Sequence, residues 1–196
     1  MEKQLTHFLP KGSDQLIKQW ISDFPLRIIV TKPRKTKLGD YRYLPKSRGH
    51  QISLNNNLSL ELFLLTLTHE IAHMHAFVKY GRKIQPHGKE WKYVFKNLII
   101  QSFPFYSLEV QKALAEYAKN PKATLSSHPK LAKSLMKNRE ENFYYLDDLN
   151  KGSLFIVNQK ILRKGNLRRT RYLCEEYQSN RKYLVSRAAQ VKKYKI

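Results

Sequence analysis

The sequence predicts an α+β protein: a helix, three short strands and two long helices, then a small basic β-rich element. Three observations carry that reading. The run Leu58–Gly81 is leucine-rich, has no glycine or proline inside it and stops on glycine. Short β-branched runs precede it, and the last quarter of the chain is cut into short apolar runs by turn signals.

In chain order, Ser13–Phe24 opens on a capping residue and repeats Leu16, Ile17, Trp20, Ile21 and Phe24 at helical spacing. Leu26–Lys32 is apolar and β-branched, so it reads as a strand. The stretches "TKLGDYRYLP" and "GHQISLNNN" read as two more, the latter running into asparagines able to cap a helix. Leu58–Gly81 is the strongest helix, with Asn57 or Ser59 as its cap and Gly81 at its end. "KEWKYVFKNLIIQ" begins a second helix after Pro86-His87-Gly88, with Trp91, Val94, Phe95 and Leu98 on one face. "SLEVQKALAEYAKN" forms a third and halts at Pro121. The reading therefore divides the chain into a domain over 1–120, a polar, proline-bearing linker over 121–142, and a β-rich element over 143–196.

Composition limits the function. The apolar fraction of 41% is that of a folded protein. One cysteine, Cys174, cannot form an internal disulfide, and this predicts a reducing, cytoplasmic location. No apolar run is long enough for a bilayer, so no membrane association is expected. Lysine and arginine outnumber acids 37 to 15, a net charge of +22. A balance that basic points to a polyanionic partner, and phosphate backbones are the commonest inside a cell.

The chemistry is concentrated in His69-Glu70-Ile71-Ala72-His73, an H-E-x-x-H pattern. Residues four apart share a helix face, so His69 and His73 can each offer an imidazole nitrogen to one Zn²⁺. Glu70 is beside the first ligand, where a carboxylate can act as general base toward a water on the metal. A catalytic site needs a third protein ligand and an open position. His75 is rotated about 200° from His73 and points away. His87 follows the break at Gly81, and the turn chemistry there favours it. Glu90, one turn into the next helix, is the rival.

The stretch "THEIAHMHAFVKYG…PHGKEWK" resembles the SprT-like metallopeptidases, which include bacterial SprT proteins and the Spartan proteases of DNA–protein crosslinks. Upstream, "TKLGDYRY" and "HQISLNNNL" resemble the strands before that family's active-site helix. The likeness spans roughly residues 10–110. It implies a zincin-type fold with a helix, a small three-stranded antiparallel sheet and metal-bearing helices, one zinc held by His69, His73 and His87, and Glu70 as catalytic base. It further implies a protein substrate, associated with or crosslinked to DNA. One departure stands out. Many of these proteins end in a four-cysteine zinc ribbon, whereas here the C-terminal region has only Cys174. The β-rich tail then reads as a ribbon-like sheet without metal ligands, held by "LFIV", Tyr172, Tyr183 and Leu184.

From Lys151 onward the only acids are Glu175 and Glu176. Arg163, Lys164, Arg168, Arg169 and Arg171 cluster there among tyrosines, which suits phosphates and unpaired bases. Strand alternation would put Arg169 and Arg171 on one face. No base-reading motif is present, so DNA binding would be largely independent of sequence. Thr31–Arg42 is a second basic patch, either flanking the substrate cleft or guarding a strand edge. The competing reading is a non-proteolytic nucleic-acid-binding or transcription-associated protein with a structural zinc.

Overall fold

The computed structural model describes residues 5–34, 36–47, 49–122, 124–136 and 144–194. The chain forms two compact units, Met1–Ala123 and Thr124–Ile196. No helix among the described residues is long and apolar enough to cross a membrane.

The first unit opens with α1 (Ser13–Ile21), which buries Ile17 and Trp20. Gly12, in the left-handed region at φ 84°, occupies the N-cap position. Ser13, expected as the cap, instead donates its hydroxyl back to the Pro10 carbonyl at 2.7 Å. The helix ends before Phe24-Pro25, since a residue preceding proline is pushed out of helical conformation. Strands β1 (Leu26–Thr31), β2 (Gly39–Leu44) and β3 (Gly49–Asn55) follow.

The sheet order is β1-β3-β2. β2 runs antiparallel to β3, but β1 runs parallel to it, which corrects the expected all-antiparallel sheet to a mixed one. The reason lies in the β1–β2 loop, which passes the end of β3 instead of turning straight back. Buried Asn55 donates its amide to the Lys37 carbonyl at 2.9 Å, and Arg34 donates to Asn55 Oδ1 and Ser53 Oγ, each at 2.8 Å. Arg34, from the middle of the basic patch, is thus spent inside the fold. Lys37 and Arg42 both pair with Asp40, and β2 lies at the sheet edge.

α2 (Leu60–Tyr80) lies against β2 and β3, and α3 (Lys89–Ser102) packs along it. Ser59 caps α2, its hydroxyl accepting from Leu62 N–H at 3.4 Å. At the other end the Gly81 N–H reaches the Phe77 carbonyl at 2.8 Å, with Gly81 at φ 79°. Leu62 to Thr68 are buried on every side, and the hydroxyls of Thr66 and Thr68 donate to carbonyls four residues back. The core joins Ile52 and Leu54 from β3, Phe63, Leu67 and Ile71 from α2, and Trp91, Phe95 and Ile99 from α3. α4 (Leu108–Ala118) adds Val110, Leu114 and Tyr117.

The second unit includes part of the stretch expected to be linker. Pro129–Met136 is a helix, α5, with Leu131, Ala132 and Leu135 buried, so this stretch is built into a core. The expected linker residues 137–142 lie outside the described residues. β4 (Tyr144–Tyr145), β5 (Leu154–Val157), β6 (Lys160–Arg163), β7 (Leu167–Arg168), β8 (Arg171–Glu176), β9 (Lys182–Ser186) and β10 (Gln190–Lys193) form one sheet in the order β4-β10-β5-β6-β8-β7, with β9 also on β8. Its core is Leu146, Leu149, Phe155, Leu162, Cys174 and Val191.

Tyr172 and Tyr183 pack against that core as expected, but Leu184 is 53% exposed and does not. Period-two alternation puts it opposite Tyr183 and Val185. Asp147 ties this unit together, accepting from Arg187 Nε at 3.0 Å and the Tyr172 hydroxyl at 2.7 Å. Burial pushes its carboxyl up, yet these bonds outweigh that and hold it at about 2.

Truncating Leu162, 2% exposed, is expected to cost about 2–5 kcal/mol as Leu162→Ala in denaturant unfolding. Leu184→Ala should stay within about 1 kcal/mol of the parent, as an exposed site does. Equal costs would show that the core of this unit is drawn wrongly.

Candidate metal centre

The centre is built on α2 and on the turn that leads into α3. His69 and His73 stand one turn apart and project the same way, as helical periodicity requires. His87 arrives on a tight turn, Gln85–Gly88, closed by Gly88 N–H donating to the Gln85 carbonyl at 2.9 Å. Pro86 presets that turn, and His87 takes its third position at φ 59°. Glycine or asparagine usually fills such a left-handed position, so holding a histidine there costs on the order of 1 kcal/mol.

The three Nε2 atoms converge. His69 to His87 is 3.1 Å, His69 to His73 is 3.2 Å and His73 to His87 is 3.0 Å. These three contacts cannot all be hydrogen bonds, because a neutral imidazole nitrogen either carries a proton or accepts one. A ring of three needs each nitrogen to do both. Three lone pairs facing one point instead suit a cation, and His69, His73 and His87 form the one such cluster among the described residues. Three imidazole nitrogens at this spacing could hold a metal ion.

Burial supplies the protonation state that ligation needs. It pushes His69 down to about 2, with the neighbouring His73 and His87 adding to the effect. His73 falls to about 4 for the same reasons, and His87 is lowered by burial. All three are neutral near pH 7, so metal uptake need displace few protons.

Glu70 is 7% exposed and its carboxyl is pushed up to about 8. Burial is the main cause and the nearby Asp40 charge adds to it, while Arg34, the Tyr41 backbone N–H and Lys37 pull the other way. The carboxylate has its place because position 39 is glycine. A Cβ there would come within 2.6 Å of Glu70 Oε1 and 2.8 Å of Thr66 Cγ2. The edge strand β2 therefore comes up against the glutamate.

The sequence reading missed two contributors. Gly39 has no role of its own in the sequence reading, although an isolated glycine in a strand is the signal of a close approach. Trp91 was read as core alone. Its ring centroid is 4.6–5.3 Å from those of all three histidines, and its indole N–H reaches the His69 carbonyl at 3.4 Å. Its position four residues after His87, one turn into α3, was the available clue.

His75 is turned away, as its helical phase requires, and bonds the Trp20 carbonyl at 2.8 Å. Glu90 is outside the cluster and folds back near Gly88 at the start of α3.

The basic residues of the second unit divide. Lys164 is 5% exposed, its ammonium donating to the Leu149 carbonyl at 2.6 Å and standing 3.9 Å from the Tyr172 ring centroid. That excludes it from a surface patch, and the loss of Tyr172 to the same interior network follows. The expected Arg169–Arg171 face is also revised. Arg169 is in a left-handed turn at φ 56° between β7 and β8, so strand alternation does not reach it. Arg168 and Arg171 are instead cross-strand partners below that turn. Arg163 is exposed, with its guanidinium 6.0 Å from the exposed Tyr177 ring.

A model of the SprT-like family matches residues 9–112, more than half of the chain and all of the histidine cluster. No curated protein and no solved structure matches.

Alanine at His69, His73 or His87 is expected to weaken zinc binding by more than about 100-fold, beyond what losing an outer-shell partner costs. His75→Ala and Glu90→Gln should bind zinc like the parent. A competition titration against a chromogenic chelator measures this, and a loss in Glu90→Gln equal to that in His87→Ala would reassign the third ligand.

Proposed function

The chain belongs to the SprT-like family, and on that premise we propose that it is a zinc-dependent metallopeptidase. The observation that carries the reading is the convergence of three neutral imidazoles beside a buried glutamate. Zinc is the ion of choice for an all-nitrogen set of three. When bound, it supplies a Lewis acid that acidifies water and polarises a peptide carbonyl.

The chain's own residues account for the rest. His69, His73 and His87 would hold the ion. Glu70 takes the proton of the attacking water and passes it to the departing amine. A carboxyl raised above the ordinary glutamate range is a stronger base once it has lost its proton, and a cation held by the three imidazoles would draw it back toward the carboxylate form. Gly39 keeps the space Glu70 needs, and the Tyr41 N–H steadies its carboxylate. Trp91 walls the three imidazoles and limits their rotation.

The substrate we propose is protein associated with, or crosslinked to, DNA. The +22 charge supports it, as does the β7–β8 turn bearing Arg168, Arg169 and Arg171, with Arg163 beside Tyr177. Binding of this kind uses phosphates and stacking and is largely blind to sequence. The rival, a structural zinc in a non-proteolytic nucleic-acid-binding protein, fits less well. A structural site is closed by a fourth protein ligand, and the cluster has three among the described residues.

Glu70→Gln is expected to retain zinc and to lose peptide cleavage by about 100-fold or more, the usual weight of a general base. Cleavage of a DNA-bound basic protein, with a chelator control, provides the readout. Full activity in that variant would rule out this role for Glu70.

A further inference from the structure

The solvent face of the α2–α3 pair has a composition that the metal centre does not explain. Between Glu70 and Glu109 the chain has one acid, Glu90, against six lysines and arginines. Lys79, in the last turn of α2, places its ammonium 5.3 Å from the Tyr80 ring centroid and 5.8 Å from that of Tyr93 on α3. Both rings are open, Tyr80 at 38% and Tyr93 at 58% exposure. Tyr93 is not left over from the core, since α3 buries Trp91, Val94, Phe95 and Leu98 on its other side. Lys89, Tyr93 and Lys96 recur four and three residues apart and so share one exposed stripe.

We propose that this face of the first unit binds single-stranded nucleic acid, with bases stacked on Tyr80 and Tyr93 and backbone phosphates on Lys79 and Lys96. An ammonium between two exposed aromatic faces offers both halves of the ligand at once, charge for the phosphate and π-surface for the base. A duplex hides its bases and can use only the lysines. An acidic peptide can meet the lysines but leaves both rings idle. The surface is on α2, which carries His69 and His73, and on α3, which follows the His87 turn. Lys79 is six residues past His73, about 9 Å along the helix, so a strand held here keeps an attached protein near the metal centre. The inference rests on the nucleic-acid part of the proposed function and does not depend on the chain cutting peptides.

The test uses the full chain as Glu70→Gln, with binding of a labelled oligothymidylate of about twenty nucleotides followed by fluorescence anisotropy at moderate salt. Adding Tyr93→Ala or Lys79→Ala should weaken binding about 5- to 50-fold, within the range for losing one stacked base, with the unfolding temperature unchanged. Tyr93→Phe, which keeps the ring, should bind like the parent. The drop for Tyr93→Ala should persist when Arg168 and Arg171 are also alanine, and a duplex of equal length should show little of it. Normal binding by Tyr93→Ala, equal losses in Tyr93→Phe and Tyr93→Ala, or displacement of the strand by polyglutamate as readily as by unlabelled oligothymidylate would each overturn this surface. No binding by the parent would overturn it together with the nucleic-acid reading, while leaving the peptidase reading standing.

Discussion

Three neutral imidazoles brought nose to nose in a largely buried place is the constraint around which the first unit is organised. At 3.0–3.2 Å the Nε2 atoms cannot satisfy one another by hydrogen bonding. Protonating them is blocked by burial and by each other. A cation resolves both conflicts. Binding a metal ion would therefore favour this fold, because metal affinity couples to fold stability.

Everything close by serves that arrangement. α2 is buried on all sides through its first turns and stands fixed between the sheet and α3, so the two histidines on it have little freedom. The left-handed backbone at His87 is a local cost borne by the turn, and Pro86 and the Gly88–Gln85 bond make it rigid. On the other side, the missing side chain at Gly39 lets the edge strand approach until Glu70 has no room to turn away. The loop that lets β1 lie parallel to β3, locked by Arg34 and Asn55, sets where β2 runs and therefore where Gly39 falls. A backbone detour distant in sequence thus helps to position a carboxylate.

How much of this was legible in the sequence follows from the range of the forces involved. Helical phase is local, and it sorted His69, His73 and His75 correctly and placed the cap at Ser59 or Asn57 and the stop at Gly81. Turn chemistry, also local, favoured His87 over Glu90. The sheet's mixed topology was not legible, because it depends on Asn55 meeting Lys37 and Arg34 across the fold. The helix Pro129–Met136 was hidden by Pro129 and by its lysines, although Leu131 and Leu135 repeat at helical spacing. Lys164 misled for a plainer reason. Composition counts charges but not which of them face inward, and this ammonium is satisfied by backbone carbonyls and the Tyr172 ring. Arg169 was assigned to a strand face because the reversal between β7 and β8 carries no glycine there to announce it.

The central claim is that His69, His73 and His87 together, and no other protein group, hold one zinc ion and leave a position open. X-ray absorption at the zinc edge on the zinc-loaded chain addresses it directly. Three imidazole ligands at about 2.0–2.1 Å are expected, with the remaining coordination from water oxygen. A zinc bound by only two imidazoles, or one completed by a fourth protein ligand, would contradict it.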